Sequence, residues 1–179
     1  SDAFAGTISA TEAAWPEVES TRALLGFFTS GDDAFLVARG LRTLAIRMKE
    51  HQARALDVAS WLEAQDEVVQ VLHPALPSHP DNALFKRDFT GSGSLFSVML
   101  APAPRASVAA FVDGLGLFTM GYSWGGYESL CIPVKLGANR TARPWTAEGN
   151  LFRLHIGLEG VDDLKADLSA AIARYAAAR

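Results

Sequence analysis

Asn150-Leu151-Phe152-Arg153-Leu154-His155-Ile156-Gly157-Leu158-Glu159 is the stretch from which the fold is read. Side chains alternate between the two faces of a strand. Phe152, Leu154 and Ile156 therefore share one face, and Arg153 and His155 share the other. An arginine in the middle of such a strand is either ion-paired or open to a cavity, because an unpaired buried charge is too costly. The pattern leaves a structural ion pair and a carboxylate clamp equally open. A clamp would use the planar guanidinium fork, which matches a carboxylate bidentately as lysine cannot.

Downstream, Gly160-Val161-Asp162-Asp163 opens a helix with its acids in the first turn, where the helix dipole favours them. Val161, Leu164, Leu168, Ile172 and Tyr175 form its buried face. Upstream, Gly121-Tyr122-Ser123-Trp124-Gly125-Gly126-Tyr127-Glu128-Ser129-Leu130 packs aromatics, hydroxyls and glycines together. That composition suits a loop lining a small-molecule pocket, and equally an aromatic-rich turn. Strands are expected at 68–72, 95–100, 127–132 and 150–156, and a short helix at 107–115. A surface loop is expected around Pro77, Pro80 and Asp81-Asn82. Residues 1–10 read as a strand, and Trp15-Pro16 opens a helix running to about Gly26. Leu41, Leu44, Met48, Ala55, Ala59 and Leu62 form one helical stripe, predicting a single helix over 33–64. At 1.5 Å per residue it would span about 48 Å, long enough to connect two bodies. Strands separated by loops, with helices to one side, make an α+β unit.

The chain has 179 residues, 49% of them hydrophobic, and a net charge of −4. Its mean hydropathy is +0.12. These values exclude a disordered chain and leave no basic footprint for nucleic acid. No apolar run approaches the ~20 residues needed to span a bilayer, and the first residues lack the basic start of a signal peptide. The single cysteine suits a reducing compartment, and Cys131, in an apolar strand, reads as a small buried hydrophobe. His51, His73, His79 and His155 lack zinc spacing, so no metal is expected. Gly91-Ser92-Gly93 and Gly125-Gly126 lack a P-loop context, and there is no Gly-x-Ser-x-Gly elbow.

Several segments, in order and spacing, resemble the C-terminal half of the cystathionine β-lyase branch of the Cys/Met-metabolism pyridoxal-phosphate enzymes. They are Ser1-Asp2, Arg39-Gly40-Leu41-Arg42-Thr43-Leu44, Val71-Leu72-His73-Pro74-Ala75-Leu76-Pro77 and Lys86-Arg87-Asp88-Phe89-Thr90-Gly91, followed by Tyr122 to Leu130 and Arg153 to Glu159. Gly-Gly-x-Glu-Ser-Leu resembles the wider group, and the preceding Tyr-Ser-Trp the β-lyase branch.

The resemblance implies an α/β, aminotransferase-like fold of type I. Residues 1–32 would end the cofactor-binding large domain, 33–64 would be a long inter-domain helix, and 65–179 the α+β small domain. It implies that Arg153 holds the substrate α-carboxylate, that Ser123 and Trp124 add hydrogen bonds to it, and that Tyr122 tunes specificity. It implies pyridoxal 5'-phosphate, with a lysine taking the α-proton and the cofactor ring storing charge while the Cβ–S bond breaks. Cystathionine would give homocysteine, pyruvate and ammonia, in methionine biosynthesis. That lysine is expected upstream of Ser1, since Lys49, Lys86, Lys135 and Lys165 match no cofactor role. No catalytic residue is then expected in this chain, which would need the N-terminal half as partner. A cytoplasmic homotetramer, no nucleic acid and no membrane complete the expectation. A γ-lyase or γ-synthase of the same family, and a non-catalytic oligomerisation or binding module, are the alternatives.

Overall fold

The computed structural model describes residues 2–137, 140, 142 and 144–179. Its elements are α1 Trp15–Leu25, α2 Gly31–Leu41, α3 Leu44–Glu63, β1 Val68–Leu72, α4 Asn82–Asp88, β2 Leu95–Leu100, α5 Arg105–Asp113, β3 Leu130–Val134, β4 Asn150–His155 and α6 Val161–Ala177. The chain falls into two compact units, residues 1–47 and 48–179.

In the first unit α1 starts at Trp15-Pro16 and stops at Gly26, whose left-handed φ of 67° is a helix-terminating conformation that glycine adopts freely. Ser30 caps α2 by accepting the Asp33 N–H at 3.1 Å. Residues 2–10 form no strand. The single helix expected over 33–64 is broken at Arg42-Thr43. There Arg42 N–H donates to the Arg39 carbonyl at 3.3 Å and Thr43 N–H to that of Gly40 at 3.2 Å, the tighter bonds of a last helical turn. Gly40 weakens a helix interior by about 1 kcal/mol relative to Ala. Arg47 Nη2 takes up the Gly40 carbonyl at 2.8 Å, satisfying an acceptor that the ended helix leaves over. Apolar spacing continues across the break, which is why periodicity did not reveal it.

The second unit is built on one antiparallel sheet in the order β1-β2-β4-β3. Phe96 pairs with Leu154 and Val98 with Phe152, so these share a face with Leu100. That face packs against Ala55, Val58, Ala59 and Leu62 of α3, Phe111 of α5 and Leu164, Leu168, Ile172 and Tyr175 of α6. Phe111 and Phe152 rings lie 4.4 Å apart, and Tyr175 meets both edge-on at 6.3 Å. The expected stripe is buried only in its second half, since Leu41 of α2 and Leu44 and Met48 of α3 are exposed.

Three boundaries differ from expectation. The expected strand at 127–132 is β3, Leu130–Val134, with Tyr127–Ser129 in the preceding loop. Pro133 fits there because β3 is an edge strand and need not donate on its open side. The helix expected at 107–115 starts at Arg105, immediately after Pro104. The loop after Pro80 turns into α4, where buried Asn82 donates to the Pro74 carbonyl at 3.0 Å. Seven residues are too few for a helical period to stand out.

Candidate functional site

Arg153 sits in mid-β4 between Ser97 of β2 and Ile132 of β3. Its Nη2 donates to the carbonyls of Gly121 at 3.0 Å, Tyr122 at 2.8 Å and Ser123 at 3.4 Å. Its Nε is buried and has no partner among the described residues. Among the described residues no carboxylate lies within ion-pair distance of it. The structural ion pair that the pattern left open is therefore not formed. Arg153 is a cation held by neutral carbonyls, with one buried N–H still to be satisfied.

The structure thus brings Arg153 together with the backbone of Tyr122 and Ser123. The side chains of that loop face outward: Tyr122 is 87% and Trp124 61% exposed, and Ser123 is exposed. Among the described hydrogen bonds, Ser123 enters only through its carbonyl.

Three groups not singled out from the sequence hold the loop. His155, on the same face as Arg153 and fully buried, places Nε2 3.0 Å from the Gly126 carbonyl and Nδ1 2.7 Å from Ser94 Oγ. The Gly125 N–H also approaches Nε2, at 3.3 Å, and the Ser94 hydroxyl can donate to Nδ1 or accept from it, so the ring is held from both nitrogens. Burial holds the imidazole below its ordinary pKa, the bond to Gly126 opposes that shift, and His51 adds to it. The His51 ring lies 5.6 Å away, its Nδ1–H on the Ile156 carbonyl at 2.9 Å. Glu159 accepts the Ser129 N–H at 2.7 Å and its hydroxyl at 2.8 Å, while Ser129 Oγ accepts the Gly157 N–H at 2.8 Å. Leu158 N–H donates to the Tyr127 carbonyl at 2.7 Å. Arg54 of α3 donates to the Glu159 carbonyl and pairs with Glu50 at 2.7 Å. Gly125 turns with φ 95°, a conformation that only glycine adopts without strain. The available signal for His155 was its alternation with Arg153. Glu159 and Ser129 stood in the quoted motifs without a role.

Cys131 is buried, and loss of solvent pushes its thiol up to about 12, so it is no nucleophile. Among the described residues no cluster of three metal-ligating side chains occurs, and no helix is long and apolar enough to cross a membrane. The lysines do not fit the aldehyde of a pyridoxal cofactor. Lys165 is bonded to Asp57 at 2.7 Å, and Lys49, Lys86 and Lys135 are exposed, so none offers an enclosed amine.

The family model described as Cys/Met metabolism PLP-dependent enzyme matches residues 1–173. Cystathionine β-lyase of Salmonella typhimurium is 46% identical over 178 residues, which cover 97% of this chain and 45% of that protein. Cystathionine β-lyase of Escherichia coli is 43% identical over 178 residues, again 97% and 45% of the two chains. A crystal structure of cystathionine γ-synthase from Xanthomonas oryzae pv. oryzae in complex with cystathionine superposes with a TM-score of 0.80 at 37% identity, covering 94% of this chain and 45% of that one. The chain spans a little under half the length of these relatives and matches their C-terminal half. With its antiparallel sheet, its carbonyl-held arginine and this match along nearly its whole length, the chain belongs to the Cys/Met-metabolism family of PLP-dependent enzymes.

Proposed function

We propose that this chain is the C-terminal, substrate-carboxylate-holding part of a carbon–sulfur β-lyase that cleaves cystathionine to homocysteine, pyruvate and ammonia. The observation that carries the reading is Arg153: a strand-borne guanidinium with no counter-ion among the described residues, facing the loop Gly121–Ser123. Neutral carbonyls hold its place. A carboxylate is the stronger acceptor, because charge-assisted bonds are about twice as strong as neutral ones, and it displaces them. Once seated, it fixes the α-carbon of the substrate relative to the sheet. Ser123 and Trp124 contribute from the same loop, and exposed Tyr122 meets the distal part of the substrate and tunes specificity. Pyridoxal phosphate supplies the electron sink of this chemistry when bound. The residues of this chain bind and orient.

The family lysine and the phosphate site belong to the N-terminal half with which this chain works. The first unit supports that reading, since neither α1 nor α2 buries a side chain and Phe4, Leu24, Phe28 and Ile46 are each more than two-thirds exposed. In this arrangement residues 1–32 end the large domain, 33–64 link, and 65–179 form the small domain of a cytoplasmic homotetramer. The likeness to a γ-synthase structure favours one second reading, a γ-type enzyme of the same family.

The test uses the enzyme completed by its N-terminal half. Arg153→Lys loses the planar fork. Losing a desolvated charged hydrogen bond costs about 2–4 kcal/mol, a fall of roughly 30- to 1000-fold in kcat/KM for cystathionine. Unchanged kcat/KM overturns the reading. Pyruvate as product marks the β-lyase, and 2-oxobutyrate the γ-type enzyme.

A further inference from the structure

The loop over Arg153 has no regular secondary structure, yet it is tied at successive points to β4 and the turn after it. Arg153 takes the carbonyls of residues 121–123, His155 that of Gly126, Leu158 N–H that of Tyr127, and Glu159 takes Ser129. The two segments run side by side, so each anchor sets the next. Within this series His155 has a particular geometry. It bridges two segments, with Ser94 just before β2 on one ring nitrogen and the Gly125-Gly126 turn on the other. A buried imidazole bonded through both nitrogens is held in one orientation.

We infer that His155, oriented by Ser94, is a positioning residue that sets the Gly125-Gly126 turn and through it the Tyr122–Trp124 stretch that meets the substrate carboxylate. The inference rests on the reading of Arg153 as the carboxylate anchor. Trp124 and Ser123 lie two and three residues before Gly126, so a displaced turn is carried into them. A misplacement of about 1 Å can cost on the order of 100-fold in rate. His51, Glu128 and Glu159 are the other titratable groups around the ring.

Two amide variants separate positioning from packing. The glutamine amide nitrogen reaches about where Nε2 does, whereas the asparagine nitrogen reaches only as far as Nδ1. In the holoenzyme, His155→Asn raises KM for cystathionine about tenfold, the loss of one buried hydrogen bond, and His155→Gln recovers most of that. A competing amine with the same skeleton but no carboxylate binds all three proteins alike. In the substrate-free protein, amide hydrogen exchange across residues 121–129 is faster in His155→Asn and restored in His155→Gln. Ser94→Ala keeps the ring but frees its orientation, and shows the same two effects to a smaller degree. Equal exchange and equal KM for the two amide variants overturn the inference, as does a Ser94→Ala protein identical to wild type. A fall in kcat/KM for Arg153→Lys alongside a silent His155→Asn removes this inference alone. A silent Arg153→Lys removes the reading beneath it.

Discussion

Replacing Gly157 by alanine tests whether the loop is as tightly tied to β4 as its hydrogen bonds indicate. Gly157 lies two residues beyond His155, the last residue of β4, and is buried. A Cβ there would lie 2.2 Å from the Tyr127 carbonyl oxygen, 2.4 Å from Glu159 Oε2 and 2.7 Å from the Glu128 carbonyl carbon. Two of these atoms are backbone, so no rotamer change relieves the clash. The loop must move outward by about 1 Å to restore ordinary contact. Overpacking of this kind costs about 1–3 kcal/mol. The movement also stretches the 2.7 Å bond from Leu158 N–H to the Tyr127 carbonyl. That adds about 1 kcal/mol, for roughly 2–4 kcal/mol in all. For a chain of this size the melting temperature then falls by roughly 4–16 °C. Differential scanning calorimetry reads the fall, and hydrogen exchange shows it concentrated in residues 121–129. A variant melting within about 1 °C of wild type would refute the reasoning, since the loop would then be loose enough to absorb a methyl group at no cost.

Two further outcomes are expected. Cys131→Ala lowers stability by about 1 kcal/mol and leaves turnover intact, and a thiol reagent at neutral pH labels Cys131 only once the protein unfolds, because burial pushes the thiol up to about 12. His73 and His155 are both held below their ordinary pKa of 6.5, chiefly by burial, so the unfolded chain binds more protons below that pH. Their contribution to stability is complete above about pH 6.5 and is lost as the pH falls toward the folded values. Melting temperatures at pH 7.5 and 5.5 therefore drop toward acid, with a smaller drop in His155→Gln.

The parts of the fold legible from the sequence are those with long or regular periods. The β4 alternation, the strands at 68–72 and 95–100, and the α6 face from Leu164 to Tyr175 all follow from repeated local rules. The failures have local causes of other kinds. The break at Arg42-Thr43 depends on Arg47 folding back onto Gly40, a contact that leaves the apolar spacing untouched. Helix α4 is seven residues long and is anchored by a buried asparagine, not by an apolar face. The ends of β3 are set by register against β4, where Leu130 meets His155, and a single strand does not encode its partner's register. At the site, Arg153 announced itself because a charge in an apolar strand needs a reason. Ser94 did not, because it lies 61 residues from His155 in the chain and a lone serine beside glycines has many ordinary uses.

That asymmetry follows from the physics of the site. A cation such as Arg153 cannot be hidden cheaply, so it stands out in an apolar strand as a group that needs a partner. Neutral hydrogen-bonded groups such as His155, Ser94 and Ser129 are silent, since each is satisfied only by partners that the fold brings together. Their value is geometric. Glu159 illustrates the intermediate case. Its carboxylate is charged, yet both oxygens are taken by Ser129, one through the backbone N–H and one through the hydroxyl, so the charge anchors a loop and is not offered to a ligand. Arg153 differs from it in one respect that decides the reading of the whole segment. Its partners are three carbonyls that cannot neutralise it, and its Nε has none among the described residues, which is why the proposed function gives it an anion to bind.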